Sequence, residues 1–222
     1  MKPPGAVERG AGLRVGDGRG VVIETENSRL VVTAGHCVAP LPPFHPASFL
    51  EERTRKVLGR IGHLPTVWAE CLFADPIADL AVLGSPDNHA PPKEADAYSD
   101  LVFSVEPLRV GDIHGSDLTV EGPPQTVPGW LLSLEGEWFR CLLDHVGGPL
   151  WVSEATNGIR GGMSGSPILR EDGRVVGVVS VGAINVMAEE DDLDDLGCTE
   201  GGPNPRLSHN LPAWLVKLLP LG

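Results

Sequence analysis

The sequence predicts an all-β body with one helix at its C-terminal end. The composition is rich in turn-forming residues, with 28 glycines and 21 prolines among 222 residues. Short runs of β-branched and other apolar residues recur along the chain, separated by turn residues, and long periodic runs of helix formers are missing. Many short strands joined by turns explain these features better than a helical bundle does.

Strands are predicted in both halves of the chain. In the first half, a tight turn at Asn27-Ser28 joins two strands, and the proline-rich stretch 39–46 is a surface loop. The polar stretch 84–100 is predicted to be a long loop, with a boundary between the halves near 105–112. The strand candidates of the first half are residues 21–26, 29–34, 66–74 and 79–84.

The second half repeats the pattern and ends in the predicted helix. Asp172-Gly173 is a strong hairpin signal between two strands. Residues 210–219 carry one apolar stripe at helical spacing, with Asn210 as N-cap and Pro212 in the first turn. The strand candidates of this half are residues 130–135, 137–145, 149–155, 166–171 and 174–182.

Charge and hydropathy exclude several classes of partner. A net charge of −13 without a stripe of Lys and Arg argues against nucleic acid. No stretch reaches the roughly 18 apolar residues that cross a bilayer, so no membrane partner is expected. Residues 1–16 lack the apolar core of a secretory signal, and a cytoplasmic location is therefore expected.

The four cysteines are widely spaced and form no CxxC pair. Cys141 and His145 stand four residues apart, but two candidate ligands are too few for a metal site. Reduced, mostly buried thiols are expected, with no metal and no cofactor. The cysteines are Cys37, Cys71, Cys141 and Cys198.

Three short segments carry residues that could do chemistry: TAGHC at 33–37, DPIADLAVL at 75–83 and GGMSGSPIL at 161–169. Taken singly, His36, Asp79 and Ser164 are each typical of structural positions. Together they match what a serine nucleophile needs, which is a neighbouring base and a carboxylate to orient that base. Glycines on both sides of Ser164 allow a sharp turn whose N–H groups can meet at a developing oxyanion.

The order and surroundings of these residues resemble those of the trypsin-like (chymotrypsin-fold) serine peptidase family. TAGHC resembles the family's histidine motif, and GMSGSP resembles its serine motif G-x-S-G-[GS]-P. DLAVL resembles the aspartate motif of the bacterial branch that includes the high-temperature-requirement proteases. The resemblance covers nearly the whole chain, and it implies two six-stranded antiparallel β-barrels with the site in the cleft between them.

The resemblance also implies a division of the chain and a role for each residue. Residues 1–110 would form the barrel that carries His36 and Asp79, and residues 111–222 the barrel that carries Ser164, plus the C-terminal helix. Ser164 would attack the scissile carbonyl, His36 would act as general base and then acid, and Asp79 would orient His36. The N–H groups of Gly162 and Ser164 would form the oxyanion hole.

A protein or peptide substrate follows from the same resemblance. Ser180, Val181 and Gly182 would hold it as an added antiparallel strand. Gly158, six residues before Ser164, would form the floor of the specificity pocket, and Ile159 beside it favours an apolar or small substrate side chain.

The sequence departs from the secreted members of the family in two places. Met163 replaces the Asp that pairs with a newly cut N-terminus, so activation by N-terminal insertion is not expected. Cys37 has no upstream cysteine to bridge. A regulatory partner protein or a loop rearrangement is expected to control activity instead. The acidic run 189–195, EEDDLDD, is either a solvated loop or a rim that attracts basic substrates or a cation.

A catalytically silent pseudoprotease that acts as a protein-binding module is the alternative interpretation. Against it, all three catalytic residue types and the oxyanion glycine are present, which binding alone would not require. An esterase of the α/β type needs alternating strands and helices and the order Ser, Asp, His, and neither occurs here.

Overall fold

The twelve strands described in a computed structural model of the protein form two six-stranded antiparallel sheets, one of which closes into a barrel. None of the described helices has the length and apolar character needed to span a membrane. The structure describes residues 12–38, 40, 53–86, 91–113, 126–145, 148–180 and 197–220.

The first barrel closes in the order β1-β2-β3-β6-β5-β4, because β1 pairs with β4 as well as with β2. Its central strands are buried on both faces, which explains the nearly continuous apolar run in β2. Val22 and Val31 face the barrel interior, whereas Val21 and Val32 pack in the cluster that also contains Val175 of the second sheet. The strands are β1 (Gly12–Val15), β2 (Gly18–Glu24), β3 (Arg29–Ala34), β4 (Thr54–Arg60), β5 (Val67–Asp75) and β6 (Leu80–Gly84).

The second sheet has the order β11-β10-β7-β8-β9-β12 and is nearly closed. Closure is approached where Arg206, just after the last strand, bridges to Gly177 in β11. The interior holds a separate cluster that includes Leu131, Leu143 and Ile168. The strands are β7 (Val127–Leu132), β8 (Trp138–His145), β9 (Leu150–Ser153), β10 (Pro167–Arg170), β11 (Val175–Val178) and β12 (Gly201–Asn204).

The predicted long loop 84–100 is wrong in its second part, because a helix, α1, spans Pro92–Phe103. Pro92 occupies the first turn, where a missing N–H costs nothing. Tyr98, Leu101 and Val102 are buried against the first barrel at helical spacing, and the Tyr98 hydroxyl donates to the Arg29 carbonyl at 2.9 Å. Only one narrow face of α1 is apolar, so the segment reads as polar in sequence.

The predicted helix at 210–219 agrees with the structure only over a short helix, α3 (Ala213–Val216). The prediction of Asn210 as N-cap is wrong, because Asn210 is the last residue of a separate short helix, α2 (Leu207–Asn210), and Pro212 takes the N-cap position of α3. Leu211 and Pro212 between them are extended, with ψ of 140° and 143°. A residue before proline disfavours the helical region, which explains the break at this point. The apolar stripe still packs inward in part, because Leu211 and Leu215 belong to the core cluster between the sheets.

The chain passes from the first barrel to the second over residues 108–111. The Leu108 N–H donates to Val22 of β2 at 2.8 Å, and the Gly111 N–H donates to Val175 of β11 at 2.9 Å. Next to this crossing, Asp112 and Arg206 form an ion pair at 2.7 Å, with side chains 10% and 7% exposed respectively. The pair joins the crossing segment to the start of α2.

Opposing effects act on the Asp112 carboxyl. Burial would raise its pKa, but hydrogen bonds from Arg206 and the Ile113 N–H, with the positive charges of Arg206 and His209, lower the pKa below its ordinary value. A carboxyl whose pKa is lower in the folded than in the unfolded chain stabilises the fold above the unfolded value of about 3.9. That contribution is lost as the pH falls through the folded-state pKa.

Replacement of Asp112 by Ala is expected to lower the free energy of unfolding by about 3–5 kcal/mol, because it leaves the Arg206 charge buried and unpaired. Urea unfolding near pH 7 measures the loss, and the difference from wild type should shrink on acidification below about pH 4. The double variant Asp112→Leu/Arg206→Met, which removes both charges, should recover most of the stability. An Asp112→Ala variant as stable as wild type would contradict the stabilising role of the Asp112–Arg206 ion pair.

Candidate active site

His36 and Asp79 lie side by side because they flank neighbouring strands. A 3₁₀ turn, Gly35–Val38, follows β3 directly and carries His36, whereas Asp79 immediately precedes β6. Since β3 and β6 are paired with Ala34 opposite Leu80, the end of one strand adjoins the start of the other. His36 Nδ1 is 2.7 Å from Asp79 Oδ2, with the imidazole half exposed.

The Asp79 carboxylate accepts hydrogen bonds from both sheets. Oδ1 accepts the backbone N–H of His36 at 2.8 Å. Oδ2 accepts from His36 Nδ1 and from the Ser180 hydroxyl, which is 2.5 Å away and follows β11 of the second sheet. Because a carboxylate only accepts, the proton of a neutral His36 is on Nδ1, and Nε2 is the basic nitrogen.

Ser164 lies in the turn 163–166, named the serine turn, in which the Ser166 N–H donates to the Met163 carbonyl at 2.8 Å. A turn shaped by glycine comes directly before it. The Met163 N–H donates to the Arg160 carbonyl at 3.2 Å, and Gly162 at the third position of this turn has a φ of +83°. A positive φ at that position is the signature of a type II turn, which favours glycine. The N–H groups of Gly162 and Ser164 donate to no other described residue. Both donors are therefore available to an oxyanion.

Hydrogen bonds fix the serine turn to the segment that precedes Ser180. The Gly165 N–H donates to the Val179 carbonyl at 2.6 Å, and the Val179 N–H donates to the Ser166 carbonyl at 2.9 Å. Val179 is followed by Ser180, whose hydroxyl reaches Asp79. A short, hydrogen-bonded path therefore connects the serine turn to the carboxylate.

The same turn is in contact with the first barrel. The Arg19 N–H donates to the Ser164 carbonyl at 2.7 Å, and the Cys37 thiol lies 3.6 Å from the same oxygen. Ser164 is thus brought against the residue next to His36. Among the described hydrogen bonds, none joins the Ser164 hydroxyl to the His36 ring. In free enzymes this contact is often long and tightens when substrate binds.

Close approach of the two backbones requires glycine at two positions. A Cβ on Gly165 would lie 1.9 Å from the Arg19 carbonyl oxygen, and its φ is +80°. A Cβ on Gly18 would lie 2.4 Å from Cys37 Sγ and 2.5 Å from the Ser164 carbonyl oxygen. No side chain fits between the serine turn and β2 at these points.

All four cysteines lie in described parts of the chain, and none is in a disulfide. Cys71 and Cys141 are buried, whereas Cys37 and Cys198 are half-buried. Burial, reinforced by the nearby Asp79 charge, raises the pKa of Cys37 to about 11. The thiol therefore stays protonated near neutral pH and can donate to the Ser164 carbonyl.

The predicted substrate-binding residues are described only in part. Gly158 and Ile159 are buried, and Ile159 pairs with Cys198 through N–H···O bonds of 2.6 and 2.9 Å. The Ser180 N–H donates to Asn204 Oδ1 at 2.8 Å, so only its carbonyl can pair with a substrate strand. Val181, Gly182 and the acidic run 189–195 lie outside the described residues.

A cleft of about 700 Å³ opens beside His36. One wall is the turn that includes Asp75 and Ile77, and the other includes Pro203 and Asn204. Sequence reasoning missed these residues. An Asp-Pro turn signal marks Asp75, but no local pattern marks Asn204, which acts through Ser180.

No group of His, Cys, Asp or Glu in the described part of the chain could hold a metal ion. The Met163 side chain is 1% exposed and packs in the interior of the second sheet. No carboxylate is present at that point for a new N-terminus to pair with.

Two antiparallel β-barrels, with a His–Asp pair at one and a glycine-flanked serine at the other, define the class of chymotrypsin-fold serine peptidases. The chain belongs to the trypsin-like peptidase domain family, which matches it over residues 18–178.

Two solved structures are similar to the chain. The serine protease of human pathogenic astrovirus is 14% identical, with 93% of this chain and 96% of that chain covered and a TM-score of 0.50, which shows the shared fold. An inactive serine-to-alanine mutant of Rv3671c from M. tuberculosis H37Rv is 19% identical, with 95% and 88% covered and a TM-score of 0.47. A comparison with curated proteins found no match.

Replacement of Gly165 by Ala is expected to slow labelling of Ser164 by a fluorophosphonate by about 100-fold, because the added methyl displaces the serine turn from β2. The same clash should lower the free energy of unfolding by about 1–3 kcal/mol. Intact mass against time measures the labelling, and urea unfolding measures the stability.

Gly161→Ala is the matched control for this prediction. A Cβ on Gly161 would meet no atom within 4 Å, and its φ is outside the left-handed region. The free energy of unfolding of this variant should stay within about 0.5 kcal/mol of the wild-type value. Equal behaviour of the two variants would show that the close approach at Gly165 is not required.

Proposed function

We propose that the protein is a serine endopeptidase with His36, Asp79 and Ser164 as its catalytic triad. The observation that carries the proposal is the 2.7 Å contact between His36 Nδ1 and Asp79 Oδ2, which leaves Nε2 as the basic nitrogen. The Ser164 turn, hydrogen-bonded to the start of β2 beside Cys37, supports the same assignment.

The chemistry proceeds through an acyl-enzyme. The Ser164 hydroxyl transfers its proton to His36 Nε2 as its oxygen bonds to the scissile carbonyl carbon, and the carbonyl oxygen takes the negative charge. When the intermediate collapses, the C–N bond breaks and His36 returns the proton to the leaving amine. Water then enters and gives a proton to His36 as its oxygen bonds to the acyl carbon. When this second intermediate collapses, the ester C–O bond breaks, His36 returns the proton to the Ser164 oxygen, and the new carboxylic acid leaves. Asp79 holds the imidazole and stabilises its charged form.

Two backbone donors serve the transient oxyanion. The N–H groups of Gly162 and Ser164, which donate to no described residue, are assigned this role. Each such donor contributes roughly 3–4 kcal/mol to stabilisation of the transition state in enzymes of this type.

The substrate is proposed to be a protein or peptide, paired as an added strand with the Ser180 carbonyl, Val181 and Gly182. Gly158 and Ile159 would favour a small or apolar side chain at the residue before the cut. Control by a partner protein or a loop rearrangement is part of the proposal, motivated by Met163 in the core. A cytoplasmic location stays a prediction from the sequence.

Treatment of the wild-type protein with a fluorophosphonate probe is expected to add one adduct, seen by intact mass, which Ser164→Ala abolishes. The physical reason is that the probe reacts with a serine activated by a base and an oxyanion hole. His36→Ala should slow labelling by a factor of roughly 10³ or more. A well-folded wild-type protein without any adduct would favour the pseudoprotease.

Endopeptidase activity makes a further prediction. Incubation with an unstructured protein should produce internal cleavages, and mass spectrometry of the new termini should show small or apolar residues before the cut. Ser164→Ala serves as the control for contaminating proteases. Labelling by the probe without any cleavage would instead support latency, and activity should then appear only on addition of a regulatory partner.

A further inference from the structure

The short hairpin between β5 and β6 carries Asp79 into the site. Asp75 pairs with Leu80 across the two strands, so the loop consists of residues 76–79. Asp75 Oδ1 accepts the N–H of Ile77 at 2.9 Å and the N–H of Ala78 at 3.0 Å. A carboxylate that bonds the backbone two and three residues later imposes a turn on the chain.

Asp79 takes the last position of this loop in a costly conformation. Its φ is +55°, in the left-handed region that non-glycine residues rarely adopt. Asp and Asn tolerate this region better than most residues, but the conformation persists only where its surroundings enforce it. The Asp79 carbonyl accepts the Gly35 N–H at 2.9 Å, which fixes its C-terminal side.

Packing alone does not hold the other side of the loop. Ile77 is 97% exposed and Pro76 is also exposed, so apolar burial in the turn is limited to Ala78, which is partly buried against the core cluster between the sheets. Together with this contact of Ala78, the two hydrogen bonds to Asp75 Oδ1 shape the chain immediately before Asp79.

We propose that Asp75 is a positioning residue, which sets the backbone of Asp79 so that its carboxylate meets His36 Nδ1. The inference rests on the proposed function, since it concerns the same His–Asp pair. Asp75 also lines the cleft beside His36, so a direct effect of its charge is the competing explanation. The two explanations require different properties of residue 75. Positioning requires an oxygen at the right distance to accept the N–H groups of Ile77 and Ala78, whereas a charge effect requires only a carboxylate.

Three substitutions of Asp75 separate these explanations. Asp75→Asn keeps an acceptor oxygen at the same position without the charge, Asp75→Glu keeps the charge but moves the oxygen by one methylene, and Asp75→Ala removes both. The matched control is Asp172→Ala, since Asp172 Oδ1 accepts the Arg174 N–H at 3.2 Å in the β10–β11 hairpin, away from the site.

The rate of fluorophosphonate labelling and the low-field proton resonance of the His36 Nδ1–H···Asp79 bond are measured on each full-length variant. Asp75→Ala and Asp75→Glu should label about 10-fold more slowly than wild type and lose or broaden the low-field resonance. Asp75→Asn and Asp172→Ala should label within about twofold of wild type and keep the resonance.

Two results would overturn the inference. Labelling of Asp75→Ala at the wild-type rate would remove any role for Asp75, and an Asp75→Asn variant as slow as Asp75→Ala would assign the effect to charge. If Asp75→Ala does not fold, the comparison of Asp75→Asn with Asp75→Glu still distinguishes positioning from a charge effect. Failure of the proposed function is a separate outcome, because the wild-type protein itself would then take no label.

Discussion

The arrangement of the site depends on one carboxylate that joins the two sheets. Asp79 accepts hydrogen bonds from His36 in the first barrel and from Ser180, which follows β11 in the second. Because the acceptor is charged, each of these bonds is stronger than a neutral one. Ser180 is in turn fixed by Asn204, so the imidazole is oriented by contacts that originate in both halves of the chain.

The serine turn depends on the same junction. Val179, next to Ser180, accepts a hydrogen bond from the Gly165 N–H and donates one to the Ser166 carbonyl. A displacement of Val179 would therefore move Ser164 as well. From the other side, Arg19 in β2 binds the Ser164 carbonyl. Glycine at 18 and 165 permits this approach, since a side chain at either position would collide with backbone atoms. The serine is thus located by main-chain contacts and not by its own side chain.

Core packing holds this junction from two sides. In β2 and β3, successive residues point alternately into the first barrel and into the interface with the second sheet. Both faces of these strands are therefore buried. This packing holds β3, which ends just before His36, and β2, which begins beside the serine turn. The interface also contains Leu211 and Leu215 from the C-terminal segment, so the last residues of the chain contribute to the same packing.

Much of this could be predicted from local sequence. Val and Ile runs with turn residues at 27–28 and 172–173 indicate hairpins, because turn chemistry and strand propensity act over a few residues. The positions of His36, Asp79 and Ser164 next to strands follow from the same patterns, and the two-barrel architecture from their resemblance to a family. Strand β4, with charged residues among its apolar ones, gave too weak an alternation to be predicted.

Only the tertiary structure decided which residues meet. Tyr98 is buried where the apolar face of α1 packs on the first barrel, and its hydroxyl donates to the Arg29 carbonyl of β3. Nothing in the polar sequence around Tyr98 indicates this contact. Asn204 and Ser180 are 24 residues apart, and Ser180 and Asp79 are 101 apart. The sequence by itself determined the local turns, strands and chemical groups of the site, since these depend on neighbours along the chain. The geometry that joins the groups was decided by the packing of two sheets, because contacts between distant residues exist only once both sheets have formed.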